Sequence, residues 1–341
     1  MINYQKHRDE FNESLDEAGE FSIGLNFSRF PSQILYEMDE VAYNEQLTEF
    51  VDQKKAEYNE TVYQSFPAPI AYFLYQTNHS FDNEIHRLHL LRTTWESIIY
   101  ILYALVLGEI NSKNFSLSLI SIFNNQRVRV DHSGLLNNRL GYKIEFMRKV
   151  IDYDQQNHST LFLSSVLNAD IFDKLEELNQ ERNSFSHIAA LSNPEAQIHF
   201  NELYPKVIDL LFELDFLENV SLLRFVSNMG ATTNVRFNRF NGHSLQRQNY
   251  DKTFSPTEIT PLLPILNDQY ILFELDKSII NCSPFIHFTF EGAHLKLCYF
   301  KQVERTTCDF IFELISGANR EVTIQAFQLS GCIHSSLGNL V

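Results

Sequence analysis

Several things are scarce in this 341-residue chain, and each scarcity excludes something. Gly (11) and Pro (9) are too few for a collagen-like, linker-dominated or disordered chain. The four cysteines, Cys282, Cys298, Cys308 and Cys332, are spaced by 16, 10 and 24 residues. None forms a CxxC pair, so a zinc site built on paired thiolates is not expected. No GxxxxGK[ST] or GxGxxG stretch is present to cradle a phosphate. GxSxG and HExxH are missing too, which removes the nucleophile elbow and the helical zinc protease pattern. The longest apolar run, IIYILYALVLG from Ile98, is too short to span a bilayer and suits a buried helix. MINYQKHRDEFNES lacks the basic-then-apolar pattern of a signal peptide. The expectation is a cytoplasmic protein with reduced thiols and no membrane partner.

What is present is ordinary for a globular chain: 44% hydrophobic and 21% charged residues, with 29 Phe and 15 Tyr to make an aromatic interior. The length suits two domains rather than one. Net charge is −16, so the chain as a whole does not attract polyanions. Residues 1–60 carry 14 Asp/Glu against 5 Lys/Arg, a balance of 5 − 14 = −9. Residues 224–252 run the other way, with Arg224, Arg236, Arg239, Arg247 and Lys252 against Asp251 alone. Phe237, Phe240 and Tyr250 are interleaved there, a pattern that can track a phosphate backbone and stack bases. A charged, solvated connector between domains is an equal reading of the same residues.

The periodicity divides the chain. EMDEVAYNEQLTEFVDQKKAEYNETVYQSF predicts one long polar helix with Val41, Leu47, Phe50 and Val51 on a thin apolar face. Pro67 and Pro69 force an extended entry before the next helix. DNEIHRLHLLRTTWESIIYILYALVLGEI is helical and, in its second half, apolar all round, as in the central helix of a bundle. Helices are then expected around SLSLISIFNNQ, YKIEFMRKVIDY and NADIFDKLEELNQERNSF. Ser192 and Glu195 form a capping box for a further helix, which Pro205 either kinks or divides. After about residue 226 the pattern becomes short, aromatic and β-branched, with five or six strands and turns at DKS, NCSP, EGAH and SGANRE.

Most histidines have a bland reading. His86 and His89 lie three apart on one helix and could share a metal with a carboxylate, but nothing nearby completes a ligand set, and His287 and His294 are strand residues. ERNSFSHIAA, residues 181–190, is different, because Arg182, Asn183 and His187 gather where two helical patterns meet. RNA cleavage without a metal needs a base for the 2′-hydroxyl, an acid for the leaving 5′-oxygen and a cation over the phosphorane-like transition state. Histidine suits the proton transfers and arginine the cation. On one regular helix, however, positions i and i+5 lie about 140° apart. The two residues converge on one phosphate only if the helix loosens or two copies meet across a dimer. For the bare residues, an exposed polar turn is the commoner explanation.

Arg182-Asn183-Ser184-Phe185-Ser186-His187 resembles the R-x4-6-H pattern of HEPN domains. It has the RNxxxH form of type VI CRISPR effector nucleases and of many toxin and anti-phage ribonucleases. The resemblance covers about residues 65–225. It implies a helical bundle that forms a homodimer or higher oligomer, with two copies of the pattern in one composite site. The implied activity is endoribonuclease cleavage of RNA that needs no metal or cofactor and leaves a 2′,3′-cyclic phosphate, in anti-phage defence or as a toxin. Arg182 would stabilise phosphate charge, His187 would be the acid/base and Asn183 would orient one of them. Glu96 would be a supporting acid, although a helix-surface glutamate is the commoner explanation. Arg224, Arg236, Arg239 and Arg247 would bind RNA.

The fold expected is α+β, an all-helical HEPN-like bundle followed by a smaller antiparallel β-rich C-terminal domain. Its parts are an acidic N-terminal helical segment (1–62), the HEPN-like helical domain (63–225), a basic connector (226–255) and the β-rich domain (256–341). From a different class comes a non-catalytic dimer in which the β-rich part senses a nucleotide or a regulatory protein. A third reading makes the acidic segment a cover over the basic connector.

Overall fold

The computed structural model describes residues 7–17, 19–24, 27–113, 115, 123, 135–136, 139–157, 160–184, 191–228, 233–266, 271–283, 285–291, 294–303, 310–314 and 321–324. The α+β layout is present, with helices in the N-terminal part followed by antiparallel sheet. The helix predicted around SLSLISIFNNQ falls outside the described residues.

Helix α1 (Arg8–Asp16) is followed by a hairpin of β1 (Phe21–Gly24) and β2 (Phe27–Arg29), then by α2 (Pro31–Met38) and α3 (Glu40–Ser65). The single helix predicted over residues 37–66 is thus interrupted at Asp39. Its side chain accepts the Ala42 N–H at 3.0 Å and caps α3. The buried face of α3 keeps Leu47 and Val51 of the predicted one, with Phe50 at its edge, but not Val41. Tyr43, Leu47, Val51, Tyr58 and Val62 are buried, whereas Val41 is 69% exposed. Tyr43 and Tyr58 complete the face, which a pattern without tyrosines leaves too thin.

Pro67 and Pro69 open α4 (Ala68–His79) as their fixed φ requires. Asn83 caps α5 (Glu84–Ser112) by accepting the His86 N–H at 2.9 Å. Every residue from Ile101 to Ile110 is buried, so α5 is the central helix. Its length and hydropathy would also suit a membrane crossing, but 72% of the apolar window is covered by the protein itself. Next come α6 (Leu140–Asn157), α7 (Leu163–Val166), α8 (Ala169–Ser184) and α9 (Asn193–Glu213). The predicted capping box of Ser192 and Glu195 is present, and α9 continues through Pro205 without dividing.

Two buried carboxylates shape the α6–α7 turn. Asp154 accepts from Thr160 N and Oγ1 and from Leu161 N at 2.9–3.2 Å. Glu109 accepts from Phe162 N at 2.5 Å and Leu163 N at 3.1 Å. Water-free backbone donors are expensive to leave unpaired, so these acids fix the start of α7.

The sheet region begins earlier than the sequence suggested. β3 (Ser221–Asn228), β4 (Asn234–Arg239) and β5 (Gln248–Thr253) precede α10 (Pro256–Ile259), β6 (Ile271–Leu275) and β7 (Ser278–Asn281). All five strands form one antiparallel sheet in the order β5-β4-β3-β6-β7. Half of residues 226–255 are therefore strand in this sheet and not a connector. In β4, buried Val235 and Phe237 flank Arg236 at period two, and the interleaved charges hid the strand. A second antiparallel sheet, in the order β11-β10-β9-β8, comprises β8 (Ile286–Glu291), β9 (His294–Val303), β10 (Phe310–Leu314) and β11 (Glu321–Ile324). Asp276 and Lys277, at φ 44° and 65°, make the tight β6–β7 turn.

Helical and sheet parts share one continuous core. Gly108 of α5 lets β7 approach: a Cβ there would lie 3.0 Å from the Asn281 carbonyl oxygen. Ser97 hydrogen-bonds Tyr299 of β9, whose ring stacks on Tyr100 with centroids 5.2 Å apart. A second joint runs where residues 63–68 cross residues 240–243. Ala68 N donates to Phe240 O at 3.0 Å, Gly242 N to Phe66 O at 2.9 Å and His243 N to Tyr63 O at 2.8 Å. The buried Asn241 amide donates to Ser65 O and Val220 O and accepts from Leu222 N. Gly242 has φ +80°, and a Cβ there would lie 3.1 Å from the Tyr63 and Gln64 carbonyl oxygens.

Candidate functional site

Helices α8 and α9 are antiparallel neighbours, and their ion pairs show how. Lys174 of α8 meets Glu213 near the end of α9 at 2.6 Å. Lys206 meets Glu177 at 2.7 Å and Glu181 at 3.3 Å. Later residues on α8 thus pair with earlier ones on α9, and the chain reverses between them. Ile171, Phe172, Leu175 and Leu178 form the buried stripe of α8, at the spacing of one helix face. In sequence, the RNxxxH stretch begins at the end of α8 and leads toward α9. Arg182 and Asn183 belong to the last turn of α8, directly after the Lys206-bound Glu181. Their side chains and the whole of His187 lie outside the described residues.

Glu96 lies in mid-α5, half-buried, and accepts from Arg92 Nε at 2.8 Å. α5 packs on both α8 and α9. On the same helix, burial holds the His89 imidazole below its usual pKa, with Arg92 and His86 adding to the effect. His86 faces Asp82 at 3.3 Å. Among the described residues no group of three or more His, Cys, Asp or Glu is placed to hold a metal ion.

The four arginines proposed to bind RNA do not share one sheet face. Cross-strand register pairs Arg224 with Asn238, which puts Arg224 and Arg236 on one face and Arg239 on the other. The Arg224 guanidinium lies 4.5 Å from the Phe288 ring centroid, between the two sheets. Arg236 binds Asp251 through both Nε (2.8 Å) and Nη2 (2.9 Å), a bidentate pair that raises its pKa and lowers that of Asp251. Arg239 approaches the Tyr250 ring at 6.0 Å, and Arg247 is exposed in the loop before β5.

Two polar features were not anticipated from the sequence. Lys143 of α6 is fully buried, with Nζ 4.2 Å from the Tyr103 ring centroid, and burial draws its pKa down to about 7. Asn78 links the hydroxyls of Tyr63 (2.6 Å) and Tyr204 (2.9 Å), and Asn59 also donates to Tyr204. Burial, the largest cause, raises the Tyr63 phenol to about 12. Both features join residues distant in sequence, so no local pattern announces them.

Compared with protein-family models, curated proteins and solved structures, the chain matches none.

Proposed function

We propose that the chain is a metal-independent endoribonuclease of HEPN type that cleaves RNA at a site completed by a second copy, in anti-phage defence or as a toxin. What supports the reading is that RNxxxH begins in the last turn of α8, whose sequence continues to α9, a helix held antiparallel to it by Lys174–Glu213 and Lys206–Glu177/Glu181. Arg182 in the last turn of a regular helix cannot share a helix face with a residue five positions on. A helix end at a reversal removes that constraint, and a second copy supplies further groups.

In the proposed reaction, His187 takes the proton of a ribose 2′-hydroxyl, and the 2′-oxygen attacks phosphorus. The bond from phosphorus to the 5′-oxygen breaks. An imidazolium proton goes to that oxygen, giving a 2′,3′-cyclic phosphate and a 5′-hydroxyl. Arg182 offsets the charge on the non-bridging oxygens, and Asn183 orients the phosphate or the imidazole. Glu96 is kept as a supporting residue. It acts through Arg92, which it already binds.

Arg182→Ala and His187→Ala test the reading in an RNA cleavage and growth assay with EDTA present. Loss of cleavage by about 100-fold or more is expected, the usual worth of a positioned acid/base. Unchanged cleavage or toxicity in both variants removes these residues from the mechanism.

A further inference from the structure

Tyr250 and Lys252 of β5 both reach Glu274 of β6, the tyrosine hydroxyl donating at 2.8 Å and the ammonium at 2.5 Å. In sheet order β5 and β6 are separated by β4 and β3. A flat sheet would hold them about 14 Å apart, at about 4.8 Å per strand. The five-stranded sheet must therefore coil until β5 approaches the β6–β7 turn, and Lys252 also donates to the Lys277 carbonyl at 3.1 Å. A cavity of about 560 Å³ opens at this closure, between the end of α5, the β5–α10 segment and the β6–β7 turn.

Its charge is opposite to that of the chain. Lys113, Lys252 and Lys277 line it against Glu258 alone, in a molecule of net charge −16. Lys252 is engaged by Glu274. Lys113 and Lys277 are exposed, and although Lys113 acts on the buried Glu109 carboxylate one turn back, both side chains line the cavity. Phe254 and Leu262 form an apolar wall beside these cations. A lysine at the end of α5 also complements the helix dipole, which alone would explain Lys113. It explains neither Lys277, which a tight turn carries to the same cavity, nor the apolar wall.

We propose that this cavity binds a nucleoside phosphate. Lys113 and Lys277 take the phosphate as paired point charges, and the base lies against Phe254 and Leu262. The cavity, about 560 Å³ and open to solvent on one side, has room beyond a phosphate, and its apolar wall suits a ligand with an organic body. Glu258, whose carboxylate is held by the Ser255 N–H at 2.7 Å, accepts from a hydroxyl or amino group of that body. The site lies on the coiled sheet, apart from the RNxxxH reversal, and does not depend on ribonuclease activity.

The test is isothermal titration of the full chain with ATP, AMP and pyrophosphate, comparing wild type with K113Q/K277N. Asn tolerates the positive φ of Lys277, so the variant removes charge without straining the turn. Lys149→Gln, a lysine on α6 paired with Glu145, is the control. Saturable binding of ATP or AMP is expected, weakened at least about tenfold in K113Q/K277N and unchanged in the control. Melting temperature and circular dichroism establish that the variant is folded. No saturation by either nucleotide up to about 5 mM, or equal affinity of folded K113Q/K277N, overturns the proposal. Pyrophosphate binding as tightly as both nucleotides overturns the part given to the apolar wall.

Discussion

Asn241 is where the structure stakes most on one side chain, and Asn241→Leu tests the joint it makes. Its amide donates to Ser65 O at 2.6 Å and to Val220 O at 2.8 Å, and its oxygen accepts from Leu222 N at 3.2 Å. The residue is buried, and these bonds tie the end of α3 to the start of β3. Leucine is close in volume, so it leaves one N–H and two carbonyls without partners while creating little cavity. A buried polar group left unpaired costs about 1–3 kcal/mol, less for a carbonyl that finds water, which gives about 3–5 kcal/mol in total. With an unfolding entropy of roughly 2.1 cal/mol/K per residue, the whole chain loses roughly 4–7 °C of melting temperature. Thermal unfolding followed by circular dichroism reads this directly. Asn241→Asp keeps the acceptor for Leu222 N but turns a carboxylate oxygen toward two carbonyls. Its deficit at neutral pH should match or exceed that of leucine, and should shrink as the pH is lowered and the carboxyl gains a donor. A loss under about 1.5 °C in Asn241→Leu would mean that the joint does not depend on this amide, and would refute the reasoning.

Two further predictions concern charge. Burial pulls the His287 imidazole down to about 4, whereas the unfolded chain titrates near 6.5. The folded state therefore excludes a proton that the unfolded state takes up, and stability is full above about pH 6.5 and falls as pH is lowered toward 4, by about 2 kcal/mol at pH 5. Urea unfolding at pH 7 and pH 5 should show this loss in wild type and not in His287→Gln; equal losses would sink the assignment. In the α8–α9 pair, Lys174→Glu should destabilise by about 1–2 kcal/mol, and Lys174→Glu/Glu213→Lys should recover more than half of it. Additive effects in that cycle would argue against the register of the two helices.

The elements legible in the sequence are those whose signal is local. Ser192 and Glu195 sit three residues apart and cap α9, and Pro67 with Pro69 starts α4. The apolar second half of α5 could only be buried. The strands from Ile271 onward carry enough β-branched and aromatic residues to show themselves. β3 to β5 were hidden because charged and polar residues interrupt them on both faces, so they read as connector until register is known. The same register separates Arg224 and Arg236 from Arg239, which linear charge counting cannot do. At the candidate site, RNxxxH was legible as a pattern at a junction of two helices, but that α8 and α9 run antiparallel follows only from their ion pairs. The cavity of Lys113, Lys252 and Lys277 was not, because it depends on a sheet coiling until residues far apart in sequence close on one another.

The same distinction bears on the acidic N-terminal segment. Read by charge alone, residues 1–60 could lie over the basic stretch as a detachable cover. The described contacts bind them elsewhere. Lys54 pairs with Glu10, Lys55 with Asp209 of α9, and Tyr58 donates to Glu218 at 2.6 Å. Phe11, Tyr43, Leu47 and Val51 belong to the common core, and His7 stacks on Phe212 with ring centroids 4.5 Å apart. Arg236 already has its counter-charge in Asp251 on the neighbouring strand. Removing this segment would uncover α9 and the core beneath it, so a truncated chain would report lost packing along with lost charge. A role for the acidic segment in regulation is therefore separable only by neutralising exposed carboxylates, such as Glu13, Glu45 and Glu49, that the core does not use.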